Sequence, residues 1–329
     1  MASVASRLGS GAAAAWRRRR VRVGLQLLAL GVMTGFLVYS VGDSWREAED
    51  AVRSANPADL GLALLAIAAY YLAFVIGWQM ILRAQGIRLG YRDTLRAEML
   101  SMLAKYVPGG VWTPAARVVA VRRLGVTDTP LVLGSIALEA GLSAIAGVLV
   151  FGVSLTTVSS TDAPVWWLAA FAVVVAVLLH PRVFRPAFAF LSRPLGGGEV
   201  PTLPRTMVAA LLAYYCATWM LAGAGLYFLA SSIGDPPASS IPYLGGASAA
   251  GAIVAVLAVF APSGLGVREG ATYGLLLAVV SPAAALGAVV LNRLAITLVE
   301  ALLLLLVGVR GPSLPDTEEQ AVEPEPSVA

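Results

Sequence analysis

The chain has 329 residues, of which 58% are hydrophobic and 13% are charged, and its mean hydropathy is +0.80. Soluble domains carry roughly 25% charged residues, so this composition excludes a soluble globular class and predicts an all-α polytopic helical membrane bundle. The net charge is +4, from 23 basic and 19 acidic residues. The basic residues, 22 arginines and one lysine, cluster beside apolar runs, which indicates membrane topology rather than nucleic-acid binding. With one cysteine, Cys216, and one histidine, His180, we expect no intrachain disulfide, no metal and no cofactor.

Apolar runs of about 20 residues, the length of a transmembrane helix, recur along the chain. Six are expected to cross the membrane: residues 23–41, 59–82, 129–154, 164–180, 206–231 and 283–309. Arg17–Arg20 and Arg22 precede the first run, which resembles a signal peptide but is followed by further spans, so we expect an uncleaved helix. Residues 1–22 are then a basic cytoplasmic N-terminus, and residues 23–310 form one transmembrane domain.

Two further segments, 94–125 and 243–281, are apolar but broken by proline and glycine. The breaks are Pro108-Gly109-Gly110 and Pro262-Ser263-Gly264-Leu265-Gly266. Backbone that leaves the helix within a bilayer is tolerated only where protein or a water-filled cavity satisfies its hydrogen bonds. We expect 94–125 to be re-entrant and 243–281 to be either a re-entrant hairpin or two short crossings, which predicts six to eight transmembrane helices.

The basic residues predict the orientation of the bundle. Either form of segment 243–281 adds an even number of crossings, so both termini are expected in the cytoplasm. In this topology 19 of the 23 basic residues lie on the cytoplasmic side or enter from it, as the positive-inside rule requires. Residues 311–329 are acidic and rich in proline, serine and valine, so we expect a disordered C-terminal tail.

The segments follow the same order in both halves of the chain, with opposite orientation. Spans 59–82 and 129–154 flank the first broken segment, and spans 206–231 and 283–309 flank the second. This order predicts an inverted-topology repeat, in which the two breaks meet near the membrane midplane and form a binding site.

Charged side chains at membrane depth are costly and usually face a bundle interior, where they find partners. Seven are expected there: Glu139, Arg268, Glu269, Arg293 and Glu300, with Lys105 and Arg117 beside the first break. Their net charge of +1 leaves one cation for an anionic headgroup. Arginine would hold a phosphate through a bidentate fork, and lysine as a point charge.

Structural interpretations of the same residues stay open. Arg293 and Glu300 lie seven residues apart on one helix face, which is equally typical of a contact with a neighbouring span. Arg268 would lie at the cytoplasmic interface if residues 243–260 crossed fully. The pair Tyr70-Tyr71 is assigned to packing or to the membrane interface, and Gly246 to close helix packing.

Two stretches around the breaks form recognisable motifs: Lys105–Gly110 with Arg117 and Arg122–Gly125, and Ala261–Gly270 with Asn292-Arg293. Over roughly residues 20–310 they resemble the lysylphosphatidylglycerol synthase transmembrane-region family, a group of flippase-like integral membrane proteins. The chain departs from the family's pattern at Ala140, where arginine usually follows the glutamate, and at Ser263, where glycine is commoner.

The resemblance implies a multi-pass protein of the cytoplasmic membrane of a bacterium that moves a phospholipid or lipid-linked anionic headgroup between leaflets. It does not imply lipid synthesis, and we expect no counterpart of the family's soluble aminoacyl-transferase part after Arg310. The sequence contains no phosphate-binding loop, zinc-protease motif or nucleophile elbow, so we expect a protein that is not an enzyme.

In this hypothesis the cations bind the anion, and Glu269 and Arg293 order the loops. The expected substrate-binding residues are Lys105, Pro108, Gly109, Gly110, Arg117, Pro262, Gly264, Gly266, Arg268, Glu269 and Arg293, with Glu139 and Glu300 as supporting charges. The alternatives are an accessory or structural subunit of an envelope-lipid or polysaccharide pathway, and a membrane enzyme acting on lipid-linked sugars. A homo-oligomer and a complex with a partner enzyme are both compatible with the sequence.

Overall fold

The computed structural model describes residues 49–50, 52–105, 112–155, 182, 202–258 and 261–307. These residues form α-helices and contain no β-strand. The helices are α1 Pro57–Ala84, α2 Tyr91–Ala104, α3 Trp112–Arg122, α4 Thr129–Ser154, α5 Arg205–Ser231, α6 Ile241–Leu257, α7 Val267–Leu276 and α8 Pro282–Val307. A short 3₁₀ turn at Ala238–Ser240 precedes α6, and another at Pro262–Gly264 follows it.

Five stretches of the described chain are long and apolar enough to cross a membrane: α1, α4, α5, α8 and Ala238–Leu257, which contains α6. The predicted spans 59–82, 129–154, 206–231 and 283–309 are therefore confirmed, as is the all-α polytopic bundle. The predicted spans 23–41 and 164–180 lie outside the described residues, and so do residues 1–22 and 311–329. The cytoplasmic position of both termini stays a prediction.

Local capping signals fix where the long apolar helices begin. Asn56 precedes α1, and its side-chain oxygen accepts a hydrogen bond of 2.9 Å from the Ala58 N–H, with Pro57 in the first turn. Asp128 plays the same part for α4, accepting from the Leu131 N–H at 3.0 Å. Such caps satisfy amide groups that the first helical turn leaves without partners, so both spans begin at polar residues.

The first broken segment is a helical hairpin. Helices α2 and α3 have 14 and 11 residues, which corresponds to about 21 and 17 Å of length, less than the roughly 30 Å of a hydrocarbon core. Ala97 of α2 and Val118 of α3 share one apolar cluster with the ends of α1 and α4. The break itself, including Pro108, Gly109 and Gly110, lies outside the described residues.

The second broken segment is also a hairpin. The hydroxyl of Tyr243, at the start of α6, donates a 3.0 Å hydrogen bond to the Leu275 carbonyl at the end of α7, so α7 returns to the side from which α6 departs. With 10 residues, α7 is about 15 Å long and cannot cross a bilayer. Both alternatives for 243–281 return the chain to the same side. The short α7 favours the re-entrant hairpin, whereas Ala238–Leu257 is long enough to cross, so the choice between the two stays a prediction.

Helix packing repeats when the two halves are exchanged. Helix α1 packs against α5, its counterpart in the other half. On exchange of the halves, α2 corresponds to α6, α3 to α7 and α4 to α8. The contact of α2 with α8 then corresponds to that of α6 with α4, and the contact of α3 with α4 to that of α7 with α8. An inverted repeat requires these equivalences, so the packing supports the predicted repeat.

Glycines allow the second hairpin to approach its neighbours closely. A Cβ atom added at Gly223 of α5 would lie 2.5 Å from the Ile241 carbonyl oxygen of α6. One added at Gly246 of α6 would lie 2.5 Å from a ring carbon of Phe151 in α4. Small residues at helix crossings are typical of membrane bundles, and Gly246 takes the packing role expected from the sequence.

Candidate functional site

A guanidinium lies between two carboxylates in the interior of the first hairpin. Arg117 of α3 donates hydrogen bonds to Glu98 of α2 and to Glu139 of α4, and ion pairs join the same groups. The guanidinium carbon also lies 4.5 Å from the centre of the Trp78 ring, in cation–π geometry. All three charged residues are at most 4% exposed. We call Glu98, Arg117 and Glu139 the Arg117 triad.

Glu98 was missing from the expected set of charges at membrane depth. The sequence does carry a signal for it, because Thr94, Glu98, Ser101 and Lys105 recur every three or four residues on one helix face. Thr94, Glu98 and Ser101 are all buried. With Glu98 included, the charges at depth sum to zero, so the expected net charge of +1 is wrong. Arg117, expected to bind an anion, donates hydrogen bonds to two carboxylates of the protein, and its role in anion binding stays a prediction.

The end of α2 is tied to the last helix. Lys105 caps the C-terminus of α2, and its Nζ donates to the Glu300 carboxylate of α8. The hydroxyl of Tyr71, near the middle of α1, donates to the same carboxylate oxygen. Tyr71 packs in the core as the sequence predicted, and this hydrogen bond was not predicted. Glu300 of α8 thereby joins the end of α2 to α1.

The second break is held by one ion pair. Glu269 accepts a 2.6 Å hydrogen bond from the Gly266 N–H at the start of α7 and a 3.3 Å bond from Arg293 Nη1 of α8. Arg293 also lies 3.5 Å from the Ser263 hydroxyl within the break. A glutamate in the first helical turn that reaches back to the leading N–H stabilises a helix start. These contacts are those that a loop-ordering role for Glu269 and Arg293 requires.

The break needs an unusual backbone. Ser263, Gly264 and Gly266 have φ angles of 55°, 66° and 79°, in the left-handed region that glycine adopts without steric cost. A Cβ atom at Gly264 would also collide with Ala255 of α6. Pro262 begins the 3₁₀ turn in this loop. The small residues predicted for the binding site therefore first serve to form the turn.

Arg268 differs from the other cations of the site. It is partly buried beside Asn292 and Ile296, where it lines a small cavity between α7 and α8. Among the described residues no carboxylate forms an ion pair with it. It lies close enough to Lys105 and Tyr71 to interact with both electrostatically.

The structure thus brings most predicted site residues into two neighbouring groups. The central cluster consists of Tyr71, Lys105, Arg268, Glu269, Arg293 and Glu300. The Arg117 triad is the second group, and Tyr70 interacts electrostatically with charges of both. Arg293 lies near the middle of α8, and Glu139 near the middle of α4. The two groups therefore lie deep within the long helices.

Comparison with known proteins agrees with this architecture. None of the curated proteins compared with the chain matches it. Residues 26–303 match the family described as the lysylphosphatidylglycerol synthase TM region, and the matched range contains both hairpins, the central cluster and the Arg117 triad. The chain therefore belongs to the lysylphosphatidylglycerol synthase transmembrane-region family.

Proposed function

We propose that this protein moves the anionic headgroup of a phospholipid or lipid-linked molecule from one leaflet of the membrane to the other. The observation that carries the proposal is Arg268, a partly buried guanidinium at the second break that has no carboxylate partner among the described residues. A membrane protein of this family with several apolar spans has a lipid environment around the site.

Charge balance explains why an anion would bind at this place. Within the central cluster, Glu300 is paired with Lys105 and Glu269 with Arg293. Arg268 carries the remaining positive charge. An unpaired charge at membrane depth is costly, so a phosphate that accepts hydrogen bonds from Arg268 would stabilise the cluster, and the guanidinium geometry favours two parallel bonds.

The two hairpins suggest how access alternates between leaflets. In the predicted inverted repeat, one hairpin enters the bundle from each side. Lys105 at the end of α2 donates to Glu300 of α8, which also packs against α7 of the second hairpin. A bound phosphate would compete with Glu300 for Lys105. Movement of one hairpin relative to the other would then open the site to one side at a time, as in inverted-repeat transporters.

We propose that the carboxylates of Glu269 and Glu300 serve transport rather than catalysis. Glu269 holds a helix start and Arg293, and Glu300 holds Lys105 and Tyr71. Each is engaged in contacts that join helices. A general acid or base would need a reacting group within hydrogen-bond reach, and these carboxylates already face protein donors.

The test is lipid movement in vesicles that contain only the purified protein. Fluorescent phosphatidylglycerol placed in both leaflets is bleached from outside, and the wild-type protein is expected to render the inner-leaflet pool accessible. Arg268→Ala should abolish this movement, and Arg268→Lys should restore part of it. Arg53→Ala is the matched control, because Arg53 is exposed and its pair with Glu49 is on the surface.

Two results would contradict the proposal. If folded wild-type protein leaves the inner pool inaccessible for anionic and zwitterionic lipids alike, the chain does not translocate lipid and an accessory role is favoured. If Arg268→Ala moves lipid at the wild-type rate, Arg268 is not part of the headgroup site.

A further inference from the structure

The Arg117 triad has two carboxyl groups but only one cation. Glu98 is 1% exposed, Glu139 is 3% exposed and Arg117 is 4% exposed. Two ionised carboxylates and one guanidinium would leave a net charge of −1 in a site shielded from solvent. A buried charge without compensation is strongly unfavourable, so the number of protons in the triad needs an explanation.

No second cation among the described residues faces the triad. The groups that interact with Arg117 are the two carboxylates, the Tyr215 hydroxyl of α5 and the Trp78 ring of α1. Tyr70 of α1 interacts with both carboxylates. Tyrosine and tryptophan bring no positive charge, so the elements packed around the triad do not neutralise it.

Several polar atoms of the triad also have no hydrogen-bond partner in the described chain. These atoms are Oε2 of Glu98, Oε1 of Glu139 and Nε of Arg117, and the nearby Tyr215 hydroxyl is in the same state. Each carboxylate therefore uses one oxygen for Arg117 and leaves the other oxygen able to carry a proton. A carboxyl group buried in this way avoids the cost of its charge by becoming neutral.

We propose that the Arg117 triad binds one exchangeable proton, which Glu98 and Glu139 share. Binding forms a single O–H bond on a carboxylate oxygen, takes the proton from water, and changes the charge of the triad from −1 to zero without any redox step. The inference concerns the charge of the folded protein and does not rest on the proposed function. If lipid movement is also confirmed, the triad is the place where a proton gradient could act on it.

Infrared spectroscopy of the purified full-length protein tests the proposal directly. The wild-type spectrum at neutral pH should contain the carbonyl band of a protonated carboxylic acid. Both Glu98→Gln and Glu139→Gln should remove that band, because either change leaves one carboxylate opposite one guanidinium. Glu269→Gln is the matched control and should retain the band, because Glu269 belongs to a pair with Arg293.

A band that is absent from the wild-type protein, or that persists in either Glu98→Gln or Glu139→Gln, would overturn the shared proton. A band that appears only when sodium is removed would assign the site to a metal cation instead.

Thermal unfolding in detergent adds a second readout that does not depend on transport. Each single glutamine variant should keep the wild-type midpoint, and the double variant should lower it, because Arg117 is then left without an anion; a double variant as stable as the wild type would contradict the proposal.

Discussion

Removal of Arg117 should cost far more stability than removal of Arg268. Arg117→Ala leaves Glu98 and Glu139 facing each other in the interior, and breaking a buried ion pair from one side costs about 3–5 kcal/mol. The loss of the cation–π contact with Trp78 acts in the same direction. Arg268→Ala leaves no charge behind, so its unfolding free energy should change by about 1 kcal/mol at most.

The measurement is equilibrium unfolding of both variants in mixed detergent micelles, followed by the fluorescence of the tryptophans. The effect of Arg117→Ala should be largest at alkaline pH, because acid neutralises the two carboxylates and removes their repulsion. Equal stability losses for the two variants would refute the charge assignment. A stable Arg117→Ala protein at alkaline pH would show that the triad does not hold the hairpin.

Three further predictions concern packing, the second break and topology. Gly147→Ala should destabilise the bundle by about 1–3 kcal/mol, because the added Cβ would lie 2.5 Å from a side chain of α6. Gly152→Ala in the same helix is the control and should leave the stability unchanged, because its Cβ would meet nothing within 4 Å. Glu269→Gln should speed amide exchange at the start of α7, measured by mass spectrometry; unchanged exchange would count against its capping role. In a cysteine-free background, Asp235→Cys should react with an impermeant thiol reagent from outside and Arg88→Cys only from the cytoplasm; the reverse would invert the topology.

Hydropathy predicted the spans because a bilayer imposes one length and one polarity on every crossing helix. The predicted span 129–154 coincides with Thr129–Ser154, where Asp128 and a following proline mark the start. The hairpins were predicted from the same constraint, because proline and glycine interrupt segments that are otherwise apolar. That the arms of 243–281 lie side by side is seen in the Tyr243–Leu275 contact, which no local pattern contains.

The sequence predicted several of the charged residues that the structure brings together, but not which of them pair. Lys105 and Glu300 are 195 positions apart in the chain, and their pairing depends on how α2 packs against α8. Glu98 was not predicted, although its helix face carries a polar stripe, because its burial depends on how α2 packs against Arg117 of α3. Tyr71 was missed because a tyrosine in an apolar span more often packs than binds a carboxylate.

The ion pairs of the two halves have opposite polarity, and this difference bears on how the bundle treats an anion. In the first half, the helix after the break supplies the cation Arg117 and the last helix supplies Glu139. In the second half, the helix after the break supplies Glu269 and the last helix supplies Arg293. When the halves are exchanged, the helix packing is therefore the same, but the cation and the carboxylate of the pair change places.

A repeat with identical pairs would offer two equivalent charged sites, one facing each half of the membrane. Here the first half instead carries an excess carboxylate, on Glu98, and the second half carries the cation without a carboxylate partner among the described residues, Arg268. In the proposed function, the second break would attract an anionic headgroup, and the triad would repel it unless the triad is protonated. In the proposed function, Arg268 at the second break would attract a charged lipid, and the charge of the Arg117 triad could be neutralised by a proton. Together these two features would make the path of the lipid directional and sensitive to protons.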